Sequence, residues 1–236
     1  MSRLYVGPMR ELLAEMAVGE LSPGDDLAHE TDLVERFGVS RGVVREFIRA
    51  LEERGMIAVK HGRGATVLPT DQWDVLDPEV LGAMLVASRA DELVGEALEC
   101  QRLLEVQAAG LAAERARPDD LDALTEALGR MAAEAPKAAR TPRADQRYHE
   151  ANLDFHRALV RASGNRALAR MSAPLHRALM TVAGERSRTT DVKRQRAEHR
   201  KIVSAIAEGD ADAARVAMTK HLAAEARSLR RGVHTR

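Results

Sequence analysis

Between residues 30 and 67 the chain reads ETDLVERFGVSRGVVREFIRALEERGMIAVKHGRGATV, and the spacing of its apolar residues leaves few ways to fold. Leu33, Val34 and Phe37 share one face of a short helix, and Gly38 supplies a turn residue. Ser40, a residue type suited to an N-cap, opens a second helix on which Val43, Val44, Phe47, Ile48 and Leu51 recur at helical spacing. Gly55 ends it. Residues 56–59 and 65–68 then read as two short strands joined by Lys60, His61, Gly62, Arg63 and Gly64, a basic loop whose glycines permit close backbone approach to a phosphate or a minor groove. The pattern predicts a helix-turn-helix followed by a two-stranded wing.

Charge decides what such a module does. Arg41, Arg45 and Arg49 follow one another at intervals of four, so their guanidinium groups lie along one face of the second helix. Taken alone, that stripe reads equally as a solvated helix face. Between residues 36 and 63, however, seven Lys and Arg stand against three Glu, while the whole chain has a formal net charge of zero. Positive charge concentrated on one module of a neutral protein is the electrostatic footprint of nucleic-acid binding, and arginines early in such a helix reach phosphates and guanine edges in the major groove.

Residues 4–68 resemble the winged helix of the GntR family of bacterial transcription regulators. The pieces that carry the likeness are Gly19 with Glu20, Leu21, Ser22, Pro23 and Gly24; Glu30 with Leu33; Phe37, Gly38, Val39, Ser40 and Arg41; Val44, Arg45 and Glu46; Leu51 with Glu52; and Gly62, Arg63 and Gly64. The resemblance implies that Arg41 and Arg45 read or clamp operator DNA, that Ser40 contacts phosphate, and that His61, Gly62 and Arg63 enter the minor groove. Two positions depart from the pattern: Thr31 stands where members often have Arg, and Gly42 where they often have Thr. Both bear on the operator sequence that would be read.

A winged helix uses about seventy of the 236 residues and leaves enough for a second domain. The residues from 79 to 236 are rich in Ala, Leu, Glu and Arg, which favours helices. Residues 69–78, with two prolines and three aspartates, read as an extended linker, and Trp73 as a packing anchor between domains. Helices are expected at about 78 onward, 90–116, 118–136, 143–162, 165–186, 190–208 and 210–231, with Pro174 kinking one of them. On the longest, Leu93, Ala97, Leu98, Leu104, Ala108 and Leu111 form the apolar stripe. Short breaks make neighbours antiparallel. The fold class is therefore mainly α: a winged helix-turn-helix with a small β wing at residues 1–70, a linker at 71–78, and an all-α antiparallel bundle at 79–236. A single cysteine, Cys100, and the lack of an apolar signal region or long apolar stretch lead to the expectation of a soluble cytoplasmic protein without membrane contact.

The bundle's chemistry lies in its histidines. Asn152 and His156 are four apart and share a helix face. His199 lies ten residues before Gly209 and His221 twelve after it. In one continuous helix they would be roughly 33 Å apart; folded as a hairpin at Gly209 they meet at one level. His156 stands at a similar distance from its own turn at Gly164, so three imidazoles and a side-chain oxygen can converge as a metal ion requires. A histidine within a helix is otherwise an ordinary core or surface residue, the reading given to His29, His149 and His176.

Residues from about 80 to 230 resemble the FCD domain, the effector-binding bundle of the FadR branch of the GntR family. The likeness rests on Phe155 and His156, on Ser163, Gly164 and Asn165, on Glu198 and His199, on Gly209 and Asp210 with Ala214, and on His221 and Leu222. It implies that His156, His199 and His221 ligate a divalent transition metal (zinc, nickel or manganese) and that Asn152 takes the place usually held by aspartate. Asp154, two residues away, faces elsewhere on a helix. Arg102 holds the family position for an arginine pointing into the effector pocket, where a guanidinium clamps a carboxylate; it also reads as one half of an intrahelical pair with Glu105.

Together these features imply a homodimeric, metabolite-responsive repressor bound to double-stranded operator DNA. A small carboxylate or sugar acid held near the metal would release it, and the Trp73, Leu76, Asp77 and Pro78 pattern resembles the linker of sugar-acid-responsive members. Two other classes are a metal-dependent hydrolase, for which no carboxylate stands at an obvious general-base spacing, and an architectural DNA-binding dimer that lacks an effector.

Overall fold

The structure, a computed structural model, describes residues 6–60, 64–86, 90–138, 141–186 and 191–231. It divides into two units, Met1–Leu93 and Val94–Arg236.

In the first unit α1 (Val6–Val18), α2 (Glu30–Phe37) and α3 (Arg41–Glu53) surround a core of Leu12, Leu13, Leu33, Val44, Phe47, Leu51 and Met56, all at most 1% exposed. Gly38 closes α2 with a left-handed φ of 62°, and its N–H returns to the Val34 carbonyl. That conformation suits a residue without Cβ. Phe37 and Phe47 meet edge to face at 5.8 Å across the turn. The wing is a three-stranded antiparallel sheet rather than two-stranded: β1 (Asp26–Leu27) pairs with β3 (Gly64–Val67), which pairs with β2 (Ile57–Lys60). A two-residue strand has no alternation to read, so β1 was invisible to periodicity.

Residues 69–78 are not a simple extended spacer. They form a 3-10 turn at Thr70–Gln72 and bring Trp73 into the first unit's core, 5% exposed, with its indole N–H donating to the Leu68 carbonyl at 2.9 Å. Gly55, at φ 67°, lies so close to the Gln72 carbonyl that a Cβ there would sit 2.3 Å from the oxygen. α4 (Pro78–Val86) follows and adds Val80 to the same core. The first unit thus extends past the expected boundary at 78, because Trp73 and Val80 join its core and α4 packs against α1.

The second unit is helical throughout among its described residues: α5 (Ala90–Arg115), α6 (Pro118–Ala138), α7 (Pro142–Ala162), α8 (Arg166–Arg186), α9 (Val192–Ala207) and α10 (Ala211–Arg231). The hairpin at Gly209, φ 72°, lays α10 along α9, and α6 packs along α7. Thr141 caps α7 and Asp191 caps α9 through side-chain oxygens that accept backbone N–H groups. α6 runs on through Pro136, and α8 is continuous through Pro174. The buried face of α5 is Val94, Ala97, Leu98, Gln101, Glu105, Ala108, Ala109 and Ala112; Leu104 and Leu111 are only half-buried, and the Leu93 side chain lies outside the described residues. No helix among the described residues is long and apolar enough to cross a membrane.

Candidate functional site

The first candidate surface is the outer side of α3. Ser40 takes extended backbone, and its Oγ accepts the Val43 N–H at 3.4 Å, so the hydroxyl is occupied in capping the helix. Arg41, Arg45 and Arg49 stand exposed on the side opposite Val44, Phe47 and Leu51. Arg45 donates to both oxygens of Glu30 at 2.7 and 3.3 Å, and Arg49 to Glu53 at 2.9 Å. With the two arginine side chains 70% and 73% exposed, water screens these pairs, and they can be exchanged for phosphate at little cost.

The positive patch is smaller than the residue count suggests. Arg36 donates to Glu11 at 2.7 Å and also to Glu15 on α1. Arg54 turns inward to the Ala50 carbonyl at 2.8 Å and to Asp77 at 3.1 Å. His61, Gly62 and Arg63, expected at the wing tip, lie outside the described residues.

The second candidate is the polar centre of the bundle. α7 supplies His156, α9 His199 and α10 His221; all three are buried, and their metal-ligating nitrogens lie within 4.8 Å of one another. His221 Nε2 is 3.0 Å from His199 Nε2 and 3.4 Å from His156 Nε2. Two nitrogens about 2.1 Å from one zinc ion would be about 3.0 Å apart at a right angle and about 3.4 Å apart at the tetrahedral angle. The spacing fits co-ligands.

The far side of each ring supports the same assignment. His156 Nδ1 contacts Glu105 Oε2 at 2.5 Å, and His221 Nδ1 contacts Glu198 Oε2 at 3.1 Å. A carboxylate that accepts Nδ1–H fixes the ring and leaves Nε2 as the donor to a metal, the usual outer arrangement around bound ions. His199 is held by packing instead, its ring 4.1 Å from that of Phe155. Glu105 is completely buried and also meets His176 Nε2 at 2.7 Å and Gln101 Nε2 at 2.8 Å. Burial opposes its ionisation, but His156 and His176 together hold its carboxyl well below the usual range. Burial likewise disfavours the His156 cation, yet Glu105 and then Glu225 lift its pKa to about 10. His199 is pushed the other way, by burial and by the charges of His221 and His156. A metal entering the cluster would therefore displace a proton from His156.

A cavity of about 80 Å³ opens beside the histidines, with Gln101, Asn152, Leu153, Leu179, Met180, Arg194, Gln195, Glu225 and Leu229 among its walls. Arg102 is not among them. It is exposed, because the residues of α5 that turn inward are Gln101 and Glu105, and position 102 lies about 100° further round the helix. Its proposed pairing with Glu105 is replaced by the contacts of Glu105 with His156, His176 and Gln101. The cavity's arginine is Arg194 on α9, which pairs with Glu198 at 3.5 Å. Asn152 lines the cavity as well; its Nδ2 donates to Glu225 at 3.4 Å, and its Oδ1 is buried without a hydrogen-bond partner. Asp154 faces away, toward Arg130 at 2.9 Å.

Glu105, His176, Gln195 and Glu225 were not read as site residues from sequence. The signal for Glu105 was present: a charged residue one turn from Gln101 and Ala108 in the middle of an otherwise apolar stripe. The signal for Glu225 was its place one turn after His221.

Comparison with known proteins agrees with both halves. Residues 9–67 match the family described as bacterial regulatory proteins, gntR family, and residues 96–224 match the FCD domain. The chain is 33% identical over 215 residues to the galactonate operon transcriptional repressor of Escherichia coli (strain K12), spanning 90% of each protein. It is 33% identical to the HTH-type transcriptional regulator LutR of Bacillus subtilis (strain 168), across 86% of this chain and 91% of that one. Among solved structures, Streptococcus agalactiae GntR superposes with a TM-score of 0.52 at 25% identity, covering 95% of this chain and 99% of that one.

Proposed function

The chain belongs to the GntR family of bacterial regulatory proteins and carries an FCD domain, and from that premise we propose that it is a repressor released from its operator by a small carboxylate bound beside a metal ion. That it is a DNA-binding transcriptional regulator and not an enzyme follows from the family and its relatives. The observation that carries the rest is the meeting of three imidazole Nε2 atoms, two of them backed by carboxylates, where one of the rings, His156, lines a cavity that also holds an arginine.

His156, His199 and His221 would hold the ion, and an imidazole set favours a transition metal, zinc above nickel or manganese, over magnesium or calcium. The ion would supply positive charge to one oxygen of the effector. Arg194, in place of Arg102, would clamp the same carboxylate through its planar guanidinium. Gln101, Gln195 and Asn152 offer donors and acceptors for hydroxyl groups, which suits a sugar acid, and one similar protein is named for a galactonate operon.

Arg41, Arg45 and Arg49 would face the operator, with His61, Gly62 and Arg63 at the wing, and a homodimer would grip a two-fold site. An effector can release DNA only by binding the non-binding conformation more tightly; equal affinity for both would shift nothing. Mobility-shift titrations of operator DNA with a panel of sugar acids, galactonate included, test the reading with and without added zinc. Release by at least one acid, dependent on metal and lost in Arg194→Ala while DNA binding persists, is the expected result. Release that ignores both metal and Arg194 would refute this placement of the effector.

A further inference from the structure

Glu225 is the one acidic side chain, among the described residues, whose carboxylate oxygen faces two of the three converging nitrogens. It lies one turn after His221 on α10, so both project from the same face of that helix. Its Oε1 is 3.5 Å from His221 Nε2 and 3.8 Å from His156 Nε2. The first is close to the spacing of two ligands at the tetrahedral angle on an ion with bond lengths of about 2.0–2.2 Å, and the second would need a wider angle of roughly 120–140°.

The carboxylate is also held in place from behind. Gln195 Nε2 donates to Glu225 Oε1 at 2.7 Å, and the Tyr148 hydroxyl meets Gln195 Oε1 at 2.6 Å. Because Tyr148 is fully buried and occupies the amide oxygen, the Gln195 amide is fixed with its NH2 toward Glu225. Asn152 Nδ2 approaches the same oxygen at 3.4 Å. A glutamine, itself held by a tyrosine, and an asparagine thus converge on one carboxylate at the edge of the histidine cluster. Polar partners of that kind fix the orientation of a half-buried acid, as the groups around a metal ligand do.

Charge points the same way. Three neutral imidazoles and an asparagine oxygen bring no charge into direct contact with a divalent ion; Glu105 and Glu198 stand one imidazole further out, behind His156 and His221. An ion held among buried histidines gains further from an anion in direct contact with it. We propose that Glu225 is the anionic ligand of this metal centre and that Asn152 orients its carboxylate by hydrogen bonding instead of supplying a ligand charge. The proposal rests on the metal centre set out above and changes who completes it. It also implies that an arriving effector carboxylate meets an ion already partly neutralised, so it must displace Glu225 or take a further coordination position.

The test uses full-length protein without a histidine tag, stripped of metal by chelator and titrated with Zn²⁺ and Co²⁺ against a chelating dye. Wild type, Glu225→Gln and Asn152→Ala are compared. Glu225→Gln keeps the size of the side chain and its contacts with Gln195 while removing the charge. Its zinc affinity is expected to fall by about 100-fold or more, beyond the roughly 10–100-fold typical of a residue that only orients a ligand. Its Co²⁺ complex should show altered visible absorption, which a merely structural role would leave unchanged. Asn152→Ala should lose less affinity than Glu225→Gln and keep the wild-type Co²⁺ spectrum. A smaller loss in Glu225→Gln than in Asn152→Ala, or an unchanged Co²⁺ spectrum in Glu225→Gln, overturns the assignment. Wild-type protein that binds neither ion refutes the metal centre itself, a result distinct from either.

Discussion

In the first unit Leu33, Val44, Phe47, Leu51 and Met56 fill an interior in which, among the described residues, no charged side chain is fully buried, and Arg41, Arg45 and Arg49 stand outside it. In the second unit the apolar positions of α5, α7, α8, α9 and α10 are interrupted at their centre by Glu105, His156, His176, His199 and His221, all buried. The first arrangement lets hydrophobic burial fix the fold while solvent-facing charge remains available to a polyanion. The second places ionisable groups where each must find a partner, which costs stability unless ion pairs or a bound cation satisfy them. A surface that meets DNA can be nearly independent of its core; a buried effector site cannot.

That contrast yields substitutions that act differently in the two halves. Phe47→Ala removes a fully buried ring from the first core and should cost about 3–5 kcal/mol of that unit's stability, by cavity formation. Chemical denaturation followed by far-ultraviolet circular dichroism measures it, and a loss under 1 kcal/mol would mean that the interior does not anchor the module as described. Arg45→Ala touches no core residue. It should leave the melting temperature unchanged and weaken operator binding by about 10- to 100-fold, read by fluorescence anisotropy on operator and scrambled duplexes. A shifted melting temperature with intact binding would place Arg45 in structure and not in recognition. The smallest effect is expected from Ser40→Ala, which removes the cap of α3 and should cost about 0.5–2 kcal/mol of folding stability. Operator affinity should then fall only as far as the helix frays; a larger loss in affinity than in stability would give Ser40 the direct phosphate contact that the family resemblance implied.

The two halves also differ in what the sequence discloses. The helix-turn-helix and its wing loop were legible, because the turn glycine, the N-cap and the apolar periods lie within forty consecutive residues and act locally. What escaped was α1, the two-residue β1 and the burial of Trp73 and Val80, whose apolar residues find their partners elsewhere in the chain. In the bundle, counting residues from Gly209 sufficed to bring His199 and His221 together, since helix rise is constant. The residues around them were harder to find. A glutamate on a helix reads as solvated until the rest of its stripe is known to be inward, and Arg102, expected at the pocket, stands one position from the inward-facing Gln101, enough to turn its side chain to the exposed side of α5. Register against a neighbouring helix is a tertiary property, and one residue decides it.

The most direct test of the central claim, that the bundle's buried charges are organised around a metal ion, is elemental analysis of tag-free protein beside a thermal melt. Wild type should carry one transition-metal ion per chain, and chelation should lower its melting temperature, since an ion that binds only the folded state stabilises it by mass action, about 4 kcal/mol when it is present at 1,000 times its dissociation constant. His199→Ala should contain less than one tenth of that metal, and its melting temperature should no longer respond to chelator. Equal metal content in wild type and His199→Ala would contradict the account, because His156, His199 and His221 would then not form one site.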